Sequence, residues 1–259
     1  MFLALLFMVG AARATPRFAA RHGAPCALCH VNPSGGGMRT AYGRDIFERH
    51  QLSSPLLARI FGEEPAGTTI DPRLGTGISL GSDLRAAYLY GTTFAGPAAL
   101  NSFFLMQADL YVAATLSRHA TLYMDRGAWG GFEAFALFTH RLREQPAGQG
   151  DPRWYGYLKL GRFVPAFGLR LEEHSTFTRE GFGLGPAWRD SGAELGVYAG
   201  SWLLQASFVK GTLTDQGGEG TVIGRLEWLR RGDGAKVLAG MSASFNDGSA
   251  VLNPAIRAP

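Results

Sequence analysis

Residues 104–116 read FLMQADLYVAATL, and alternate positions along this stretch belong to two chemical classes. One set is entirely apolar and consists of Phe104, Met106, Ala108, Leu110, Val112, Ala114 and Leu116. The interleaved set is mostly polar and includes Gln107, Asp109, Tyr111 and Thr115. A period of two places the two sets on opposite faces of a β-strand. The stretch therefore predicts a strand with one apolar face and one polar face.

The same alternation recurs through residues 77–245, in roughly nine or ten runs, many of them about 9–11 residues long. The apolar members of four such runs are Leu84, Ala86, Tyr88 and Tyr90; Trp202, Leu204, Ala206 and Phe208; Val222, Leu226 and Trp228; and Val237, Ala239, Met241, Ala243 and Phe245. Ordinary strands average about five or six residues, whereas a strand that crosses a bilayer needs about 9–11. We therefore predict a mainly β protein with an antiparallel transmembrane β-barrel over residues 77–259; a soluble β-sandwich is the alternative.

Composition agrees with this prediction and excludes other classes. Charged residues make up 18% of the chain and aromatic residues 12%, which is a low charge content for a water-exposed surface. The net charge is +4 with no run rich in Lys or Arg, so no nucleic-acid partner is expected. The chain stops at VLNPAIRAP, and its two prolines argue against a final strand. We therefore expect the barrel to be incomplete in this chain, with further strands or a partner needed to close it.

A second signal is the sequence CALCH at residues 26–30, which is typical of a c-type haem attachment site. Cys26 and Cys29 are predicted to form thioethers with the two vinyl groups of one covalent haem c, and His30 to bind the iron from the proximal side. A structural zinc site needs four ligands, but the chain has only two cysteines. A redox dithiol starts a helix in a βαβ unit, whereas VNPSGGG follows here and breaks a helix.

The sixth iron ligand is left open between three possibilities. Met38 lies eight residues after His30 and offers a thioether that would raise the reduction potential. His22 and His50 offer imidazoles, and an open or water-bound iron is the third possibility. Glycines 35–37 either wrap the chain against the haem or form a flexible loop.

The predicted domain order is a signal peptide over residues 1–14, a haem-binding segment over 15–50, a linker over 51–76 and the barrel over 77–259. Residues 1–14 contain a short apolar run followed by a small-x-small cleavage pattern, although no basic residue precedes the run. The alternative is an N-terminal helix or strand of the mature domain. Residues 52–62 predict a short amphipathic helix that docks or plugs the barrel, or serves as a spacer.

Two segments resemble known families. FAARHGAPCALCHVNPSGGGMRTAYG, residues 18–43, resembles the single-haem leader of certain bacterial outer-membrane porin-like proteins, with a Pro, a glycine triplet and an aromatic-Gly after the haem motif. YLKLGRFVPAFGLRLEEHSTFTR, residues 157–179, is similar to the GRFxxPFG stretch of phosphate-selective-type porins, in which a strand leads into a long loop. The resemblances imply a porin-like barrel that carries a haem-binding leader.

We therefore expect an outer-membrane monohaem cytochrome for electron transfer, with its haem segment in the periplasm. Its expected partners are outer-membrane lipid and a periplasmic or multihaem redox protein, and an oligomer is possible. No nucleophile, base and orienting residue occur in a recognisable pattern, so an enzyme is not expected. The alternatives are a passive solute porin with a structural haem and a soluble periplasmic β-rich cytochrome.

Overall fold

A computed structural model describes residues 25–44, 73–92, 99–127, 131–140, 154–168, 188–210, 220–230, 237–246 and 249–257. The signal segment, the helix predicted at 52–62, His22 and His50 lie outside these residues. The described part begins with one short helix, α1 (Cys26–Cys29). No helix in the described ranges has the length and apolar character needed to cross a membrane.

Eleven strands follow, and they form one antiparallel sheet in which spatial order equals chain order. They are β1 (Arg73–Leu74), β2 (Ile78–Thr92), β3 (Ala99–Thr115), β4 (Ala120–Gly127), β5 (Phe132–His140), β6 (Trp154–Phe163), β7 (Asp190–Ala199), β8 (Trp202–Val209), β9 (Thr221–Arg230), β10 (Val237–Asn246) and β11 (Ser249–Arg257). The prediction of a mainly β, antiparallel fold is confirmed. The pairings recorded for the described residues do not join β1 to β11, so closure into a barrel stays a prediction.

The C-terminal segment departs from the expectation that its prolines would prevent a strand. β11 pairs with β10 over its whole length, and Pro254 lies opposite Met241 in the register. In the described sheet β11 has β10 as its single neighbour. Proline is tolerated on such an edge strand because the missing N–H is lost from the side without a partner. The expectation was wrong because a proline at an edge position does not prevent a strand.

In water-soluble proteins the large apolar side chains of a sheet are usually buried, whereas one face of this sheet exposes them. In β8, Leu204 is 54% exposed and Phe208 53%, whereas Gln205 between them is 1% exposed. Exposed large apolar side chains recur on the same face of the other strands: Leu84, Leu110, Leu122, Met124, Phe138, Leu158, Leu195, Val222, Met241 and Phe245. The opposite face buries polar and charged side chains together with a core of aromatic and aliphatic ones. The polar and charged members are Thr121, Asp125, Glu133, Thr139, Lys159, Glu194, Gln205, Ser207, Arg225, Glu227, Ser242 and Ser244, and the core members include Tyr111, Tyr123, Phe135, Leu137, Tyr157, Leu203 and Ile223.

The polar face curls around a loop formed by residues 31–38. This loop is closed at its base, where the Val31 N–H donates to the Met38 carbonyl at 2.9 Å. Its side chains nevertheless reach from β2, where the Met38 methyl lies 3.6 Å from the position of a Cβ at Gly81, to β8, where Gln205 donates to Ser34 at 3.4 Å. In a flat sheet these two strands would lie about 29 Å apart. The sheet is therefore concave, and the loop occupies its concave side.

Candidate haem-binding site

The CALC sequence forms one turn of helix, α1, that begins after Pro25 and ends at His30. Both flanking residues are extended, and the His30 N–H closes the turn by donating to the Cys26 carbonyl at 2.9 Å. Residues three apart are neighbours on a helix surface, so Cys26 and Cys29 share one side of the turn. The chain leaves in an extended direction at His30, whose Nδ1 is buried. The turn thus presents two thiols together, with the imidazole next to them.

The chain returns after the loop to hold this turn in place. The Thr40 hydroxyl donates to the Leu28 carbonyl at 2.6 Å, and the Thr40 N–H donates to the Cys29 carbonyl at 2.9 Å. The Gly43 N–H in turn donates to the Thr40 hydroxyl at 3.2 Å. A Cβ at Gly43 would overlap the Cys29 backbone. The residues that follow α1 therefore hold the turn in place through hydrogen bonds and close backbone packing.

The glycine triplet adopts a single wrapped conformation against the turn. Gly35, Gly36 and Gly37 have φ values of 90°, 75° and 62°, in the region that side chains other than glycine rarely occupy. A Cβ at Gly35 would lie 3.5 Å from the Cys26 Sγ, and a Cβ at Gly37 would overlap the Tyr123 hydroxyl. The triplet therefore has a defined conformation packed against the α1 turn and Tyr123, and its wrapping against a haem stays a prediction.

Polar atoms of the loop bind an ion pair that is completely buried. Lys159 on β6 and Glu194 on β7 lie 2.7 Å apart, and both side chains are 0% exposed. Ser34 donates to Glu194 at 2.8 Å, and Lys159 donates to the Ser34 hydroxyl at 3.1 Å and to the Asn32 amide oxygen at 3.3 Å. Asn32 also donates to Glu133 at 3.5 Å. A buried ion pair needs such additional hydrogen bonds to offset its desolvation, so the loop and the pair depend on one another.

Sequence reasoning did not single out Lys159 or Glu194. Their position in the alternating pattern was a usable signal, because both residues fall on the polar face of a predicted strand. Leu158 and Leu160 flank Lys159 on the opposite face, and Leu195 follows Glu194 there. What the sequence does not contain is the contact between the loop and the pair, in which Ser34 and Glu194 lie 160 positions apart in the chain.

Met38, one of the proposed distal ligands, lies on the other side of the loop. It is buried, its N–H donates to the Tyr123 hydroxyl on β4 at 3.3 Å, and its methyl group is directed to β2 at Gly81. His30 forms an antiparallel bridge with Arg39, while Met38 bonds to Val31 in the neighbouring position of the same ladder. Successive positions of such a ladder point to opposite faces. The structure brings Met38 near the CALCH segment, and its role as an iron ligand stays a prediction.

A short segment after β6 covers the polar face at the end of that strand. Tyr155 lies near the start of the same strand, so the segment and Tyr155 are at opposite strand ends. Residues 164–168, the VPAFG of the porin-like stretch, are all buried. Their N–H groups donate to three strands: Val164 to Glu133 on β5 at 2.7 Å, Ala166 to Glu194 on β7 at 3.0 Å, and Gly168 to Ser242 on β10 at 2.9 Å. The segment therefore crosses the concave side and shares Glu133 and Glu194 with the loop.

The donor set fits a covalent haem better than the other two uses of a Cys-x-x-Cys pair. Neither thiol is in a disulfide, and burial raises the pKa of Cys29 to about 11, with Arg39 acting in the opposite direction. Redox dithiols instead work through thiolates of lowered pKa. Within the described ranges no three His, Cys, Asp or Glu side chains cluster as a metal site would require. Cys26, Cys29 and His30 have the composition and spacing of a c-type attachment set, and haem attachment stays a prediction.

The chain was compared with protein-family models, curated proteins and solved structures, and none of the three comparisons finds a match.

Proposed function

We propose that this protein is an outer-membrane monohaem c-type cytochrome that transfers electrons, with a barrel-forming sheet built around its haem-binding leader. The observation that carries the proposal is the combination of a CALCH turn with the inverted sheet on which its loop is docked. Neither feature alone would suffice, since c-type haem attachment also occurs in soluble proteins.

The exposed apolar face supports a membrane location. Leu84 is 75% exposed, Leu110 69% and Leu195 53%, and each lies on a different strand. Soluble monomers rarely leave such a face in water, because apolar surface gains about 25 cal/mol for each Å² removed from it. Lipid contact removes this surface from water while the polar side chains stay inside, which is the arrangement of outer-membrane barrels. The soluble sandwich is disfavoured because it would bury the apolar face and expose the polar one.

The arrangement of connections favours the periplasmic side for the haem. The strand ends near Tyr155 and Tyr198 carry the connections 75–77, 116–119, 141–153, 200–201 and 231–236. The opposite strand ends carry the connections 93–98, 128–131, 164–189, 210–220 and 247–248, which together are longer and include the longest one. Outer-membrane barrels have short periplasmic turns and longer external loops. The Cys26 thiol lies within electrostatic range of these two tyrosines, so we infer that the attachment site lies at the strand ends with the shorter connections.

Within this function the haem supplies one-electron chemistry, and the chain supplies its position. Cys26 and Cys29 would hold the haem by thioether bonds, and His30 would bind the iron. The loop anchors the attachment turn through Asn32 and Ser34. A redox partner, either a periplasmic cytochrome or a multihaem protein, exchanges electrons with this single centre.

A passive solute porin with a structural haem is the second candidate, because the porin-like stretch and the polar concave face are common to both functions. The loop favours the cytochrome, since its contacts extend from β2 to β8 across the surface that a solute would need. Reversible one-electron reduction of the haem by a soluble donor separates the two candidates, because a structural haem has no need to exchange electrons.

The test is a comparison of the wild type with Cys26→Ala/Cys29→Ala. After denaturing electrophoresis the wild type should stain for haem peroxidase activity and the double variant should not. Both proteins should fractionate with outer membranes and need detergent for extraction. Haem staining that persists in the variant would refute covalent attachment, and recovery of the wild type from the soluble periplasm would refute the membrane location.

A further inference from the structure

Five tyrosines are buried among the described residues, and two of them differ from the rest. Tyr111 donates to Asp83 at 2.9 Å, Tyr157 donates to Glu194 at 2.9 Å, and Tyr123 accepts from the Met38 N–H at 3.3 Å. The hydroxyls of Tyr155 and Tyr198 are buried and have no hydrogen-bond partner other than one another among the described residues. A buried hydroxyl normally finds a partner, because leaving it without one costs its full desolvation.

The two exceptions form one structural unit. Tyr155 on β6 and Tyr198 on β7 are direct cross-strand partners, and their rings stack with centroids 4.1 Å apart. Tyr155 is 1% exposed and Tyr198 is 9% exposed. Two hydroxyls can satisfy at most one of their two O–H donors with one another. At least one donor therefore remains for a group that the described part of the chain does not supply.

The pair lies on the side of the loop to which the attachment turn belongs. The Cys26 thiol is within electrostatic range of both tyrosines and of Arg225 on β9. Met38 lies on the opposite wall, against β2 and β4. A group joined to Cys26 would therefore be placed beside the two hydroxyls and a guanidinium.

We propose that Tyr155 and Tyr198 seat the haem by donating hydrogen bonds to its propionate carboxylates. Ionised carboxylates only accept hydrogen bonds, so they match phenol donors that lack an acceptor. Arg225 favours an anion at this place, because a guanidinium has five N–H donors and this one also bonds to Gln205 and Glu227. The inference rests on the proposed haem and assigns its polar end to β6 and β7, with both tyrosines as positioning residues.

The experiment compares Tyr155→Phe, Tyr198→Phe and the double variant in haem-loaded and haem-free protein, the latter expressed without the haem-attachment machinery. Tyr88→Phe is the matched control, because it removes the same oxygen from an exposed side chain on the apolar face. In haem-loaded protein the melting temperature in detergent should fall by about 2–4 °C for each hydrogen bond lost. In haem-free protein it should stay constant or rise, since the variant removes a buried donor without a partner.

The reduction potential provides an independent readout. Hydrogen-bond donors lower the pKa of a carboxylate, so their removal should move the pH-dependent change of the haem potential to higher pH in the double variant. Equal changes of melting temperature in the two forms would overturn the inference, because they would mean that water or protein satisfies the hydroxyls. An unmoved pH profile would also overturn it. A wild type that carries no haem, detected by staining, would instead refute the proposed function.

Discussion

The two walls that enclose the loop hold it in different ways. The charged wall consists of Tyr157, Lys159, Glu194 and Gln205, and it binds the loop through hydrogen bonds to Asn32 and Ser34. The packing wall consists of Gly81, Tyr111 and Tyr123, and it receives the Met38 side chain, which is 7% exposed. The charged wall requires particular donors and acceptors at particular positions, whereas the packing wall requires only volume. We infer that the charged wall determines the position of the loop and that the packing wall stabilises the loop in that position.

The largest effect is expected from Lys159→Met, which leaves Glu194 buried without its cation. Breaking a buried pair on one side costs about 3–5 kcal/mol of unfolding free energy. Denaturant unfolding in detergent measures this loss. The variant Lys159→Met/Glu194→Gln removes both charges and should recover part of it. A single variant as stable as the wild type would show that the charged wall does not hold the loop.

A smaller effect is expected at the packing wall. Met38→Ala removes a buried side chain and should cost about 2–5 kcal/mol, whereas Met38→Leu keeps the volume and should cost less than about 1.5 kcal/mol. The same unfolding measurement applies, with the haem spectrum recorded in parallel. If Met38 is the distal iron ligand, Met38→Leu will change that spectrum. Equal losses from the Leu and Ala variants would contradict a role based on volume.

The smallest loss of unfolding free energy is expected from a substitution in the glycine triplet. Its comparison with a second glycine separates the cost of backbone strain from the cost of steric overlap. Gly37→Ala introduces a Cβ at φ 62° that overlaps the Tyr123 hydroxyl, and it should cost about 1–3 kcal/mol. Gly75→Ala is the matched control, because Gly75 has φ 72° and no atom within 4 Å of the added Cβ. The difference between the two losses of unfolding free energy is the cost of the overlap. Identical losses would mean that Tyr123 moves aside freely.

The fold class was predictable because a period of two is a local property of the sequence. The alternation in residues 104–116 correctly assigned Leu110 to one face and Tyr111 to the other, and β8 shows the same agreement between pattern and burial. The strand at the C-terminus was missed, since whether Pro254 is tolerated depends on which strands pair with β11, and in the described sheet β10 is its single neighbour. The pairing of β11 is a property of the whole sheet and cannot be deduced from residues 249–257 alone.

The sequence indicated a chemistry for the candidate site, which stays a prediction, and it did not indicate the surroundings of the site. The spacing of Cys26, Cys29 and His30 is contained in five residues, so one motif was enough to indicate haem. The partners of the loop come from strands whose contacts with it depend on the curvature of the sheet. The contact between Tyr155 and Tyr198 became visible only when the strands were paired, because the two residues lie 43 positions apart in the chain.

The separation in sequence between the loop and its wall has a consequence for how the protein matures. Ser34 contacts Gln205, which is 171 residues later in the chain. Contacts of such long range form slowly during folding. Until β6, β7 and β8 have paired, the CALCH sequence has no wall to dock on. The cysteines are therefore accessible to enzymes that attach a cofactor before the strands that will enclose them have assembled.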